Sequence, residues 1–165
     1  MSKGVFIGID VGTSGVKTVA IDISGKMIGS HTEPVEMITP KPGWTEQNPT
    51  NWWSATKQSL KLVNKELSLQ GKFEILSISL SGQMHSLVIL DKNDTPIRNA
   101  ILWNDGRTHE ECMYITEKTG DALGKITGNP PLEGFTAPKI IWVRNKEPSL
   151  FKKIRSILLP KDYIR

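Results

Sequence analysis

One cysteine, Cys112, stands in 165 residues. A disulfide framework is thereby excluded, and a reducing compartment such as the cytoplasm fits. Cys112 lies in a stretch with helical character, where a lone thiol is expected to pack rather than to react. Long hydrophobic runs are equally scarce. None reaches the roughly 18–20 residues that a membrane span needs, and the start, Met1-Ser2-Lys3-Gly4-Val5, has no signal-peptide core; no membrane partner is expected. Internal repeats and low-complexity segments are absent. Charge of one sign is also in short supply, with 21 basic against 17 acidic residues and a net charge of +4. The basic residues are scattered except for Lys152, Lys153 and Arg155, which read as a solvated helix face and not as a nucleic-acid patch. What remains is ordinary for a globular chain: 38% apolar and 23% charged residues, long enough for one domain with a real core.

The apolar pattern divides this chain into short elements. Residues 5–11 are rich in β-branched side chains and read as a strand. Residues 17–23 alternate as a second strand, Ser24-Gly25 marks a turn, and 26–33 return as a third, giving an antiparallel meander. A loop follows over 39–47. Asn48-Pro49 then reads as a helix start, with Asn at the N-cap and Pro at the first helical position. Trp53, Leu60, Val63 and Leu67 recur at helical spacing and define its expected buried face, with an end near Gly71. Strands are expected over 73–80, 86–91 and 97–103, a turn at Lys92-Asn93-Asp94, and a helix over 108–119. After Gly128-Asn129-Pro130-Pro131 come a helix over 136–144, a strand over 156–159 and a first helical turn at 161–165. Strands and helices in this order predict an α/β layered fold with a mixed sheet and flanking helices. The stop inside a helical turn suggests part of a longer protein.

Three clusters carry chemistry. The first is Gly8-Ile9-Asp10-Val11-Gly12-Thr13-Ser14-Gly15-Val16-Lys17. An acid inside an apolar strand is costly if buried. Asp10 can hold Mg²⁺ or its waters, since Mg²⁺ takes one or two carboxylates plus phosphate oxygens. Gly12 and Gly15 let backbone N–H groups approach an anion; Thr13 and Ser14 add hydroxyls, and Lys17 adds positive charge. These are the parts for a nucleotide phosphate tail, although a capped hairpin turn explains the same residues. The pattern is not a P-loop, because no Gly-Lys-Ser/Thr triplet is present. The second cluster is Ser81-Gly82-Gln83-Met84-His85-Ser86, whose Gln83 and His85 suit sugar hydroxyls; a core histidine is the alternative. The third is Ile101-Leu102-Trp103-Asn104-Asp105-Gly106-Arg107. There Trp103 offers a face for a sugar ring and Asn104 and Asp105 offer polar contacts, with core packing as the alternative for Trp103. Both lie at strand ends, where α/β sheets collect ligands.

These clusters, together with Gly43-Trp44-Thr45-Glu46-Gln47-Asn48-Pro49, Trp52-Trp53, Gly134-Phe135-Thr136-Ala137-Pro138-Lys139 and Leu158-Leu159-Pro160-Lys161-Asp162-Tyr163, agree in order and spacing from residue 5 to the last residue. On them the chain resembles the FGGY carbohydrate kinases. The resemblance implies an actin-like ATPase (ribonuclease-H-like) fold and ATP- and Mg²⁺-dependent phosphorylation of a sugar hydroxyl. Asp10 would be the catalytic and metal residue. Gly12, Thr13, Ser14 and Lys17 would bind the ATP phosphates. Gln83, Met84, His85, Trp103, Asn104 and Asp105 would bind a small ketose. Gln83, Asn104 and Gly106 favour D-xylulose, whereas Ser86 after His85 departs from the Gly usual in members acting on that sugar and resembles some gluconate kinases of the family. Kinases of this family are longer and carry their general base, an Asp, in a later domain, so residues 1–165 would be most of the N-terminal domain. The absent C-terminal domain would be its partner, and a homodimer is compatible. Such a chain is expected to expose apolar surface and self-associate. Two other classes compete: a non-catalytic sugar- or nucleotide-binding module, and an actin- or chaperone-like ATPase with a protein partner. The second has no use for the Gln83-Met84-His85 turn or the Trp103-Asn104-Asp105 run.

Overall fold

A computed structural model describes residues 3–165; Met1 and Ser2 of the N-terminal stretch lie outside the described residues. In order, the elements are β1 (Lys3–Val11), β2 (Gly15–Asp22), β3 (Met27–Pro34), β4 (Glu46–Gln47), α1 (Pro49–Gln70), β5 (Phe73–Gly82), β6 (Val88–Leu90), β7 (Ala100–Ile101), α2 (His109–Thr119), α3 (Asp121–Thr127), α4 (Thr136–Lys146), α5 (Pro148–Phe151), β8 (Ser156–Leu158) and α6 (Pro160–Ile164). The chain forms two compact units. Among the described residues, 3–37, 49–83 and 160–165 make the first, and 38–48 and 84–159 the second.

The first unit holds a four-stranded sheet in the order β3-β2-β1-β5. β1 pairs antiparallel with β2 and parallel with β5, so the sheet is mixed and the expected meander is present. Alternation decides its faces. Val5, Ile7, Ile9 and Val11 are buried, whereas Phe6 and Asp10 point to the open side. α1 covers the buried side, where the Thr18 and Ser59 hydroxyls bond at 2.7 Å. The tight β2–β3 turn forms because the Asp22 carboxylate accepts from the Ser24 and Lys26 N–H groups while Gly25 takes φ 86°, a value open to glycine.

The buried face of α1 differs from the expected stripe. Trp52 is fully buried and Trp53 is half-exposed; Ala55, Thr56, Ser59, Val63 and Leu67 complete the packed face. The discrepancy has a physical cause. Thr56 donates to the Trp52 carbonyl and Ser59 to the Thr56 carbonyl. Their hydroxyls are satisfied by the helix itself, so polar residues occupy a face that apolar counting misses.

The second unit is built from two short antiparallel pairs, β4–β7 and β6–β8, around Leu87, Ile89, Ile101, Trp142 and Val143. The strands expected over 86–91 and 97–103 shorten to three and two residues. One reason is that the Ser86 hydroxyl, not a strand partner, accepts the Trp103 N–H. Two short helices, α3 and α5, escaped the sequence pattern. Lys152, Lys153 and Arg155 are exposed as expected, but they follow the end of α5 in a turn and not on a helix face.

Candidate functional site

In the first unit, Asp10 lies on the open face of β1, directly opposite Lys17 of β2 and next to Ser81 of β5. Its carboxylate is exposed, so burial is not what the side chain has to overcome. The Ser81 hydroxyl donates to Asp10 Oδ1 at 2.6 Å. Gly8, Asp10, Lys17, Val19, Ser79 and Ser81 line a recess of about 200 Å³. Small residues at Gly8, Ser79 and Ser81 leave this hollow, with an acid and a base on its walls.

The hairpin after Asp10 corrects one expectation. Neither glycine frees its backbone for an anion by adopting an unusual conformation. The Gly12 N–H donates to the Gly15 carbonyl at 3.0 Å, which closes the turn. Gly15 is buried in β2, where a Cβ would come within 2.6 Å of the Glu33 carbonyl oxygen; close approach of two strands requires it. The tip of the loop is Thr13-Ser14. Gln83, placed with the sugar ligands by its motif, is buried in the first unit instead. Its N–H donates to the Val11 carbonyl and its side-chain amide to the Gly12 carbonyl at 3.3 Å. Gln83 therefore braces the phosphate-type loop. Asp10, Ser81, Thr13 and Ser14 are hard oxygen donors, a set that suits Mg²⁺ arriving with phosphate oxygens. No cluster of three or more carboxylate, histidine or cysteine side chains that could cage a metal occurs among the described residues.

In the second unit, Met84, His85 and Trp103 gather beside the Gly134–Thr136 segment. Met84 is 57% exposed and Trp103 43%, while His85 is half-buried with its ring against Phe135 at 4.4 Å. The Trp103 carbonyl stands so close to Gly134 that a Cβ there would come within 2.4 Å. His85 is one of two non-glycine residues with positive φ among the described residues, at 61°, and the Ser86 N–H donates across it to the Met84 carbonyl at 2.7 Å. Desolvation, and secondarily the charge of Lys139, hold the His85 imidazole below its usual pKa. A neutral ring both donates and accepts hydrogen bonds.

Asn104 is exposed and accepts from the Thr45 hydroxyl at 2.9 Å. Asp105 behaves differently from a ligand residue. It is buried, and its oxygens accept from the Thr45 N–H, the Arg107 N–H and the Arg107 guanidinium. That guanidinium is itself buried, paired with Glu46 as well as Asp105, and lies 3.9 Å over the Trp44 ring. Arg98 joins Glu46 to Glu147. Asp105 is therefore part of a buried charged network with Arg107 and Glu46 and is not itself exposed. Sequence reasoning quoted Glu46 and Arg107 within motifs but missed this network; the signal available was the pairing of Trp44 and Arg107 in motifs rich in charge. Cys112 is buried, and burial pushes its thiol up in pKa, as an inert packing residue requires.

The N-terminal domain of the FGGY family of carbohydrate kinases matches residues 5–165. A xylulose kinase of Bacillus subtilis (strain 168) is 49% identical over 159 residues, which cover 96% of this chain and 32% of that protein. The crystal structure of a xyloylose kinase from Brucella ovis superposes with a TM-score of 0.89 at 40% identity, over 98% of this chain and 33% of that one. A gluconate kinase structure from Lactobacillus acidophilus superposes with a TM-score of 0.86 at 29% identity, over 99% of this chain and 32% of that one. The chain thus spans about a third of the length of the relatives it matches. Its mixed sheet with flanking helices is the actin-like ATPase fold of these kinases, and the chain belongs to the FGGY family of carbohydrate kinases as a form of its N-terminal domain.

Proposed function

We propose that this chain is the phosphate- and sugar-binding part of an ATP-dependent kinase that converts D-xylulose to D-xylulose 5-phosphate. The observation that carries the proposal is the rim of the second unit. There His85, held in an unusual backbone conformation, an exposed Met84 and an exposed Trp103 flank one loop cluster, tied together by the Trp103 N–H to the Ser86 hydroxyl and by the Gly134–Thr136 segment, a polar and apolar pairing suited to a sugar's hydroxyls and carbon skeleton. Xylulose is favoured over gluconate because a ketose is neutral. Met84 and Trp103 present no positive charge for a carboxylate, and the nearby Arg107 guanidinium is enclosed by its own carboxylates.

In this reading Thr13, Ser14 and Lys17 take the ATP phosphates, with Gly12 closing the hairpin and Gln83 bracing it. Asp10 would hold Mg²⁺, which when bound neutralises phosphate charge. Ser81 fixes the carboxylate's rotamer by its hydrogen bond. His85 orients the sugar through hydroxyl hydrogen bonds, and Trp103 excludes water from one side of it. Positioning of this kind supplies much of the catalysis in phosphoryl transfer. The base that accepts the sugar proton is assigned to a part of the kinase outside these residues, in a C-terminal domain that would be the chain's partner. No described helix is long and apolar enough to cross a membrane, and a cytoplasmic location belongs to the same proposal.

Titrating the 165-residue chain with D-xylulose and with gluconate by calorimetry tests the sugar assignment. Saturable binding of xylulose, weakened at least tenfold by His85→Ala, is expected. Equal or tighter binding of gluconate would overturn the substrate, and xylulose binding untouched by His85→Ala would overturn the site.

A further inference from the structure

Lys139 of α4 is fully buried, which lysine almost never is without partners. Its ammonium donates to two backbone carbonyls, those of His85 at 3.0 Å and of Gly134. The Thr136 hydroxyl donates to the same His85 carbonyl at 3.0 Å. One carbonyl therefore receives two donors from the first turn of one helix. The residue that owns it is the strained one. With φ at 61° and a hydrogen bond from Ser86 N–H to the Met84 carbonyl, His85 occupies the rare hand of the three-residue γ-turn. Such conformations persist only where the surroundings over-determine them, and they cluster at ligand clamps. Packing alone does not account for the lysine. An apolar side chain such as Met would fill the same space without taking a charge out of water. What Met could not do is fix the peptide plane after His85 and tie it to the Gly134–Phe135 segment, whose phenyl ring flanks the imidazole at 4.4 Å.

We propose that Lys139 is a positioning residue for sugar capture: its buried ammonium clamps the His85 and Gly134 carbonyls and so holds His85 in the strained turn that presents its ring at the rim. The proposal rests on the assignment of His85 to the sugar. With its ammonium spent on two backbone carbonyls, Lys139 acts through His85.

The test uses the whole 165-residue chain with ¹³C-labelled histidine. It compares wild type with Lys139→Met and with the milder Thr136→Val, which removes one donor only. Three histidines give three ring signals, and that of His85 is displaced by the ring current of Phe135. In Lys139→Met, with a cooperative melt retained, the His85 signal is expected to move toward the unstacked positions, and D-xylulose affinity to fall about tenfold. Thr136→Val is expected to move both in the same direction by less. If Lys139→Met fails to fold, Thr136→Val decides by the same two readouts. A His85 signal that stays in place overturns the clamp. A signal that moves while xylulose affinity is unchanged overturns the role in sugar capture. If wild type itself does not bind xylulose, the sugar assignment of His85 falls and takes the capture role with it, while the ring signal still tells whether the clamp exists.

Discussion

Asp10 and Asp105 are both aspartates at strand ends in motifs shared with kinases, yet their environments assign them opposite tasks. Asp10 is exposed, with one hydroxyl bonded to one oxygen, and keeps capacity for a cation and its waters. Asp105 is enclosed by Arg107 and the Thr45 backbone and has none. Only the fold distinguishes them, because both motifs read as polar residues after apolar ones. Lys139 is the residue whose titration the fold alters most. Burial pushes its pKa from the ordinary 10.5 down to about 8, with Asp105 opposing and Arg107 adding to the fall. The unfolded chain keeps this proton up to about 10.5, whereas the folded chain releases it near 8. Between those values the unfolded state binds more protons, so this group makes stability rise with pH across that window. The cost of the buried charge is fully present below about pH 8. Chemical denaturation of wild type and Lys139→Met at pH 8 and 10.5 isolates it, since the Cys112 thiol and Tyr163 hydroxyl, both pushed up by burial, titrate alike in both proteins. Wild type is expected to gain about 3 kcal/mol relative to the variant between the two pH values. An equal pH dependence of the two proteins would contradict a charge-destabilised Lys139.

At the scale of elements, glycines mark where backbones meet. Gly134 approaches the Trp103 carbonyl so closely that Gly134→Ala would place a Cβ about 2.4 Å from a backbone oxygen, a contact no flexible side chain can relieve. The segment carrying Phe135 and Thr136 must then shift away from Trp103. A fall in stability of about 2 kcal/mol is expected, of the size other strained or overpacked substitutions give, together with a change in tryptophan emission. An unaltered melting temperature would contradict the packing described. The three-strand meander, the start of α1 at Asn48-Pro49 and its end before Gly71 were legible, because alternation, proline and glycine act locally. The face of α1 was not, since Thr56 and Ser59 satisfy themselves on the helix and so pack like apolar residues. The strands at β6 and β7 were legible but not their shortness, because side chains such as Ser86 take over bonds that a ladder would make. What residue type conveys of the candidate site is its chemistry, and the fold adds exposure: Asp10 and Trp103 are exposed and His85 is half-buried. The burial of Gln83 and Asp105 was not legible, because an amide and a carboxylate serve a frame as readily as a ligand.

At the scale of the molecule, the sheet of the first unit has an edge strand, β5, with Ile75 and Ile78 about half exposed, and an open face carrying Phe6 and Ile23. Exposed apolar edges recruit other strands. Sedimentation velocity is expected to show a sedimentation coefficient that rises with concentration, whereas a constant monomer value at high concentration would contradict an adhesive surface. The central claim concerns phosphoryl transfer to a sugar, and a hybrid enzyme tests it most directly. In that hybrid this chain replaces the matching third of the Bacillus subtilis xylulose kinase, with which it shares 49% identity. Release of ADP from Mg·ATP is then followed with D-xylulose, with gluconate and without sugar. Turnover dependent on xylulose, and reduced at least a hundredfold by Asp10→Asn in the same hybrid, is the predicted result. A folded hybrid that ignores xylulose, or one that turns over equally well with Asp10→Asn, would contradict the assignment of these residues to a sugar kinase site.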